Sequence, residues 1–231
     1  MSEIAKSVVI DDGRICRMGK RQAAIDDLYH VEGKAELVNG ELVLMSAVGK
    51  RHGRVALRIA ASLLEYEKQT ARGHALPDNV GFIVALPHRR SFSPDAAFSL
   101  QPDTDGFVDG APVFAVEVRS PEDYGQAAEY AMARKRDDYF AAGTLVVWDV
   151  DTLDQVVRAY HASDPVTPTV FRRGERADAE PAVPDWSMPV DDLFPDGRRR
   201  SRRPPKVQQQ CRRRECQVRS PRRHCRSELV G

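Results

Sequence analysis

The sequence has no long apolar run and no leader-like N-terminus, and both absences exclude classes of protein. No apolar run is longer than about six residues, whereas a helix that spans a membrane needs ~20. The first residues, MSEIAKSVVIDDG, lack the basic segment and the long apolar segment of a secretory signal peptide. The sequence therefore predicts a protein without a membrane segment, located in the cytoplasm.

Cysteine is scarce and shows no repeated Cys-x-x-Cys spacing. Cys16 stands alone near the start, and the others are Cys211, Cys216 and Cys225 near the C-terminus. Small disulfide-stapled domains and structural zinc sites need cysteines at regular, short spacings. The sequence therefore indicates neither a disulfide framework nor a zinc site.

The formal net charge of +1 conceals two segments of opposite charge. Residues 197–231 contain 13 Arg or Lys and two Glu, whereas residues 1–196 contain 22 Arg or Lys and 32 Asp or Glu. A segment with so few aliphatic residues cannot offset its ordering entropy, which predicts that residues 197–231 form a basic disordered tail. Two explanations of this composition stay open: electrostatic binding of nucleic acid, and translation of a non-coding or frame-shifted sequence.

The rest of the chain predicts a single domain over residues 19–196, preceded by an extension at residues 1–18. Asn39-Gly40 lies between two apolar runs and predicts a tight β-hairpin. Apolar residues at helical spacing predict helices over residues 51–67 and 124–142, with a shorter one over residues 19–28, and Gly73 is predicted to stop the first of them. Strands are predicted over residues 80–86, 92–100, 112–118 and 145–150, with edge strands over residues 155–160 and 169–172. The predicted fold class is α/β (mixed α+β), with a mixed central β-sheet flanked by helices.

Two of the predicted strands each carry one acid, Asp95 and Glu117. The strand that contains Glu117 is apolar on both faces, and an ionised Glu buried there costs several kcal/mol unless it is paired or metal-bound. Neighbouring strands bring such oxygens to within ~4 Å of each other, and Mg²⁺ favours such a pair. In the alternative, Asp95 closes a turn after Pro94 and Glu117 pairs with Arg119.

A lysine beside two such acids would complete a site for phosphodiester hydrolysis. The metal would polarise the phosphate and lower the pKa of a bound water, and the lysine would orient that water or stabilise developing charge. Arg119 stands two residues after Glu117, but a guanidinium is a poor proton acceptor. Lys135 lies on the packing face of the predicted helix, four residues before Tyr139. In the alternative, Lys135 is a snorkelling side chain at the helix edge.

These residues stand in segments that resemble a known family. Over residues 35–194, the segments VNGEL, the helix start at His52, SPDAAF, FAVEVRSP, KRDDYFAAG and LVVWDVD are similar in order and spacing to the Uma-type restriction endonuclease family, part of the PD-(D/E)XK nuclease superfamily. The resemblance implies a restriction-endonuclease-like core, Mg²⁺ or Mn²⁺ as cofactor and DNA as substrate. It implies that Asp95 and Glu117 bind the metal and that Lys135 is the catalytic lysine, since Arg119 stands at the usual lysine position.

The resemblance also extends to Glu41 and His52. Glu41 would be an accessory metal ligand, or only a solvated residue at a strand start. His52 would contact phosphate or assist proton transfer, or only face the solvent or cap its helix. Arg119 would be an accessory residue that contributes to DNA affinity. Basic residues that would line the mouth of the cleft, or only be solvated, are Lys50, Arg51, Arg54, Arg58, Arg89 and Arg90.

An alternative function is a catalytically inactive nuclease-fold module that binds nucleic acid or protein. Arg119 at the lysine position favours it, and so does the acidic domain, because phosphate contacts normally supply most of the affinity of a DNA-binding protein. The apolar final strands and the Pro-rich segment before Phe194 predict a two-fold homodimer.

Overall fold

The structure is a computed structural model. It describes the backbone of residues 9–11 and 14–16 and, with side chains, residues 22–195. The predicted basic tail at residues 197–231 lies outside the described residues, as does most of the predicted extension at residues 1–18.

The described elements, in chain order, are β1 (Val9–Asp11), β2 (Arg14–Cys16), α1 (Ile25–Leu28), β3 (Ala35–Val38), β4 (Glu41–Leu44), α2 (Lys50–Thr70), β5 (His74–Leu76), β6 (Phe82–Ile83), β7 (Ser91–Phe92), β8 (Ala96–Ser99), β9 (Val108–Asp109), β10 (Phe114–Val118), α3 (Gln126–Ala141), β11 (Val146–Asp151), β12 (Val156–His161), β13 (Asp164–Phe171), β14 (Arg176–Asp178), β15 (Ser187–Pro189) and α4 (Val190–Leu193).

The central element is a six-stranded sheet with the strand order β13-β12-β11-β10-β8-β5. β10 and β11 are parallel, and the other neighbouring strands in this sheet are antiparallel. The helix α3 connects the parallel pair, since parallel strands need a crossover connection. The sheet is therefore mixed, and the predicted fold class is confirmed.

One long helix packs on each face of this sheet. On one face, Ile59 of α2 belongs to the same buried cluster as Val116 of β10. On the other face, Tyr139 of α3 is clustered with Ala115. Successive residues of a strand point to opposite faces, so Glu117 falls on the α3 face. Ala115 therefore lies with Glu117 on one face of β10, and Val116 lies on the other.

The hairpin formed by β3 and β4 is also as predicted. Asn39 and Gly40, at its turn, have φ values of 52° and 71°, the left-handed values that this dipeptide tolerates. The amide of Asn39 donates to the carbonyl of His88 at 2.6 Å, and the amide of Arg90 donates to the carbonyl of Leu37 at 2.8 Å. These bonds fix the hairpin beside the segment that leads into the central sheet.

Several predicted boundaries were wrong for identifiable reasons. The strand predicted over residues 92–100 is divided into β7 and β8, because Pro94 lacks an amide and interrupts the pairing. The strand predicted over residues 80–86 shortens to β6, which pairs with β7 and β9 outside the main sheet. The predicted edge strand over residues 155–160 is internal, because the eight-residue β13 pairs along its outer side.

The bounds of the first two helices, α1 and α2, also differ from the prediction. The helix predicted over residues 19–28 is described only at Ile25–Leu28. α2 ends in a left-handed Ala71, with φ of 53°, rather than at Gly73. Gly73 is needed for a different reason, since a Cβ there would lie 2.5 Å from the carbonyl oxygen of Ser99. In the described part of the chain, no helix is both long enough and apolar enough to cross a membrane.

Candidate active site

Acids from three neighbouring strands lie side by side on the α3 face of the sheet. Ala96 of β8 lies opposite Val116 of β10, and the same register continued by one residue sets Asp95 opposite Glu117. On the other side of β10, Glu117 pairs with Asp149 of β11. The two acids predicted from the sequence are therefore brought together, with a third acid beside them.

These acids line a cavity of about 510 Å³. Its walls are the sheet, α3, the loop after β4 and the segment after β10. The lining has five carboxylates and three permanent cations, together with one histidine; these residues are Asp95, Glu117, Glu122, Asp123, Asp149, Lys34, Lys135, Arg136 and His52. The formal charge of the lining is therefore negative, although two of the cations contact the central acids directly.

Asp95 is held by three neighbours and is almost fully buried. Its Oδ1 accepts a hydrogen bond from Nζ of Lys34 at 2.6 Å, and its Oδ2 accepts one from the amide of Val118 at 2.8 Å. Nε2 of His52 lies 3.2 Å from the same Oδ2. Burial raises the pKa of Asp95, but His52 and Lys34 outweigh it and lower the pKa below its ordinary value. Asp95 is therefore ionised at neutral pH.

Lys34 bridges two carboxylates and was not predicted as a site residue. Its Nζ lies 2.7 Å from Oδ1 of Asp78 in addition to its contact with Asp95. Burial lowers the pKa of Lys34, but the charges of Asp95 and Glu117 outweigh this and raise it. Lys34 is therefore a protonated ammonium that neutralises part of the acid pair.

Glu117 accepts two hydrogen bonds from α3. Its Oε1 lies 2.8 Å from Nζ of Lys135 and accepts a 2.7 Å hydrogen bond from the hydroxyl of Tyr139. Burial raises the pKa of Glu117, and together with the charges of Asp95 and Glu36 it outweighs the opposite effect of Lys135. The side chain keeps 19% of its surface exposed. Glu117 is thus the acid whose ionised form would gain most from an added cation.

Lys135 reaches the acids as its helical spacing predicts. Lys135 and Tyr139 are four residues apart on α3, so they share one face, and both contact Glu117. Nζ of Lys135 also lies 2.9 Å from Oε1 of Glu36. Burial lowers the pKa of Lys135, but Glu117 and Glu36 outweigh it and raise the pKa. The contact with two acids excludes the snorkelling alternative.

Glu36 is the main site residue that sequence reasoning missed. Its Oε2 lies 2.5 Å from Nη1 of Arg89, and its Oε1 accepts a hydrogen bond from the amide of Ser93 at 3.0 Å. Nε of Arg89 in turn donates to Oδ2 of Asp138 at 2.8 Å. The available sequence signal was an acid between apolar residues in β3. In the structure, Glu36 is only 3% exposed.

His52 lies in the site, and the solvent-facing alternative is wrong. It is 7% exposed, and its Nδ1 lies 3.1 Å from Oγ of Ser120. Its Nε2 makes no hydrogen bond of good geometry, although Asp95 is near. Burial lowers the pKa of His52, but Asp95 outweighs it and raises the pKa.

Glu41 and Arg119 lie outside the cavity lining. Glu41 is exposed at the start of β4. Arg119 does not pair with Glu117; its Nε and Nη2 each donate to an oxygen of Asp149 at 2.7 Å, and it also binds Glu129. The alternative in which Arg119 neutralises Glu117 is therefore wrong. The basic residues expected at the mouth are absent from the lining as well, and Arg89 is buried against Glu36.

The donor set fits a magnesium-type ion better than a metal that needs many protein ligands. In residues 9–11, 14–16 and 22–195, no group of three or more His, Cys, Asp or Glu side chains is arranged to hold a metal. Mg²⁺ commonly takes one or two carboxylates, with waters and substrate phosphates as its other ligands. Asp95 and Glu117, both oxygen donors that line the cavity, fit that requirement.

The chain is similar to a solved structure and to one protein family. A crystal structure from Anabaena variabilis, described as "a putative nuclease belonging to DUF820", is similar to 73% of this chain and 96% of that chain, with 16% sequence identity and a TM-score of 0.59. This similarity shows a shared fold. Comparison with curated proteins gives no match. The family model described as "Uma2: Putative restriction endonuclease" matches residues 24–191, which include every residue of the candidate site. The chain therefore belongs to the Uma2 family.

Proposed function

We propose that this protein is a divalent-metal-dependent endonuclease that hydrolyses phosphodiester bonds of DNA, with Asp95 and Glu117 as metal ligands and Lys135 as the catalytic lysine. One observation carries the proposal: two acids on adjacent strands share a cavity, and a protonated lysine contacts one of them at 2.8 Å. Membership of the Uma2 family supports nuclease activity.

The charge of the cavity supports the need for a cation. Its lining has five carboxylates against three permanent cations, so an anionic phosphodiester would be repelled from it. A divalent cation would offset the excess of two negative charges. Burial and its acid neighbours raise the pKa of Glu117, and a nearby cation would stabilise the ionised form of this acid.

The residues of the chain have distinct roles in this proposal. A bound Mg²⁺ or Mn²⁺ would supply Lewis-acid activation of the phosphate and of a water. Asp95 and Glu117 would hold the metal, and Tyr139 orients Glu117 through its hydroxyl. Lys135 retains its proton through neutral pH, so it would orient the attacking water and stabilise developing negative charge. Glu36 would hold the Lys135 ammonium in place.

A specific observation favours the second candidate function, the inactive nuclease-fold module. Asp95 and Glu117 each have an ammonium partner already, at 2.6 and 2.8 Å. The two acids are therefore neutralised without a metal. In that case the domain would bind nucleic acid or protein and hydrolyse nothing. The predicted homodimer stays a prediction for either function.

One pair of assays separates these functions. The protein is incubated with supercoiled, linear and single-stranded DNA in Mg²⁺ or Mn²⁺, with a chelator as control, and its melting temperature is followed against metal concentration. A nuclease should cleave DNA only with metal, and the metal should raise the melting temperature in proportion to its affinity. Binding of DNA without cleavage, and a melting temperature that does not change with metal concentration, would favour the inactive module.

A further inference from the structure

Arg136 lines the same cavity as Lys135 and has hydrogen-bond donors that no described group uses. Its side chain is 11% exposed, and its Nε and Nη1 have no hydrogen-bond partner in the described part of the chain. The acid Asp149 is near, but its Oδ2 lies 3.6 Å from Nη1 of Arg136. A largely buried guanidinium with unused donors has lost hydration without full compensation. Arg136 therefore requires an acceptor.

Asp149 does not accept a hydrogen bond from Arg136, and both of its carboxylate oxygens already accept hydrogen bonds from Arg119. Each carboxylate oxygen of Asp149 accepts a 2.7 Å hydrogen bond from Arg119. Tyr160 contacts Arg136 in another way, since the guanidinium carbon lies 4.0 Å from the centre of the phenol ring. Stacking on an aromatic ring fixes the plane of a guanidinium and does not use its N–H donors. Tyr160 thus holds the Arg136 guanidinium in position, but Nε and Nη1 still lack hydrogen-bond acceptors.

The other permanent cations of the cavity differ in this respect. Lys34 contacts Asp95 and Asp78, and Lys135 contacts Glu117 and Glu36. Each of these ammonium groups therefore has two carboxylate partners within hydrogen-bond distance. Arg136 has only the more distant Asp149. Among the three permanent cations of the cavity lining, Arg136 is therefore the one with buried donors that no carboxylate accepts within hydrogen-bond distance.

We propose that Arg136 binds non-bridging oxygens of a phosphate group in this cavity and so contributes to substrate binding. Guanidinium groups form strong, charge-assisted hydrogen bonds to phosphate oxygens. The two unused donors, Nε and Nη1, point to different edges of the guanidinium, so each would donate to a separate oxygen. That the phosphate belongs to DNA rests on the proposed function; that the cavity binds a phosphate at Arg136 does not.

The test uses inorganic phosphate as the probe, because it cannot be cleaved. Its affinity is measured by calorimetry in Mg²⁺ at ~0.15 M salt for the parent, R136M, R136K and R134M. Arg134 is an exposed residue of the same helix and serves as the matched control. R136M should weaken phosphate binding by about tenfold or more, and R136K should weaken it less. R134M should bind like the parent.

A second readout separates this inference from the proposed nuclease activity. If DNA is cleaved, R136M should raise KM by a similar factor, with a smaller effect on kcat. Should R136M lose phosphate binding while no form cleaves DNA, the Arg136 site stands and the nuclease proposal fails. Equal phosphate affinity of parent and R136M, or no phosphate binding by the parent, would overturn the inference. If R136M does not fold, the same comparison is made with R136K, whose ammonium cannot reproduce donors on two edges of a planar guanidinium.

Discussion

The ammonium of Lys34 lies 2.6 Å from Oδ1 of Asp95, so a lysine already neutralises one of the acids proposed to bind a metal. The same ammonium lies 2.7 Å from Oδ1 of Asp78, whose side chain is 36% exposed. If a divalent cation binds Asp95, Lys34 still has Asp78 as a partner. Lys34 and a divalent cation bound at Asp95 would therefore compete for the same carboxylate.

Substitution of Lys34 by methionine should strengthen metal binding. The change removes a competing positive charge next to Asp95, and a gain of about tenfold corresponds to ~1.4 kcal/mol. Affinity is measured from the rise of the melting temperature with Mn²⁺ concentration. K68M, which removes a 63% exposed lysine of α2, is the control. Weaker or unchanged affinity in K34M would contradict the competition.

Substitution of Lys135 by methionine should separate catalysis from metal binding. Loss of a positioned charge at the reaction centre lowers turnover by about 10²–10³, whereas Glu117 keeps its hydrogen bond from Tyr139. Single-turnover cleavage and the metal titration are both measured. Because the pKa of Lys135 is raised, its contribution should persist as pH rises and be lost only above the ordinary lysine pKa of about 10.4. Cleavage at the parental rate would exclude the assigned role.

Substitution of Glu36 by glutamine should lower stability in a pH-dependent way. Burial raises the pKa of Glu36, but Lys135 and Arg89 outweigh it and lower the pKa. A lowered folded-state pKa gives stability that is present above the unfolded-state value of about 4.3 and is lost as pH falls through the folded-state pKa. E36Q should therefore cost ~3–5 kcal/mol at pH 7, the effect of breaking a buried pair.

The difference between E36Q and the parent is measured by urea unfolding at pH 7 and at successively lower pH. It should shrink as the pH drops below about 4.3, because Glu36 then takes up a proton in the unfolded state before it does so in the folded state. Stability curves of parent and variant that run parallel across this range would show that Glu36 is not held as an ionised partner.

Arg119 should act on stability rather than on DNA binding. It is 3% exposed and joins Asp149 to Glu129, so R119M leaves Asp149 buried without its main partner, at a cost of ~3–5 kcal/mol. The double variant R119M/D149N should recover part of that loss, because the uncompensated acid is removed too. Chemical denaturation measures both. Parental stability in R119M, combined with weaker DNA binding, would reverse this assignment.

The central acids were predictable because local patterns place them. Alternation along β10 sets Glu117 on one face, and the four-residue spacing of α3 brings Lys135 and Tyr139 to it. Neighbouring antiparallel strands then bring Asp95 opposite Glu117. Each of these steps depends on a periodicity that the sequence displays directly.

The partners of those acids were not predictable, because they come from distant parts of the chain. Lys34 meets Asp95 across 61 positions, and Arg89 meets Glu36 across 53. These contacts depend on how the β3–β4 hairpin lies against the central sheet. No periodicity in the sequence indicates that arrangement. Arg119 was misplaced for a related reason, since its partner Asp149 depends on the register of the parallel pair β10 and β11.

The most direct test of the central claim is the rate of DNA cleavage in Mg²⁺ and Mn²⁺ by D95N and E117Q beside the parent. The control is E65Q, which removes the charge of an exposed carboxylate on α2, and all forms are compared at equal folded fraction. The proposed metal site predicts that D95N and E117Q each cleave at least about 10²-fold more slowly, while E65Q cleaves like the parent. Metal-dependent cleavage by D95N and E117Q at the parental rate would contradict the account.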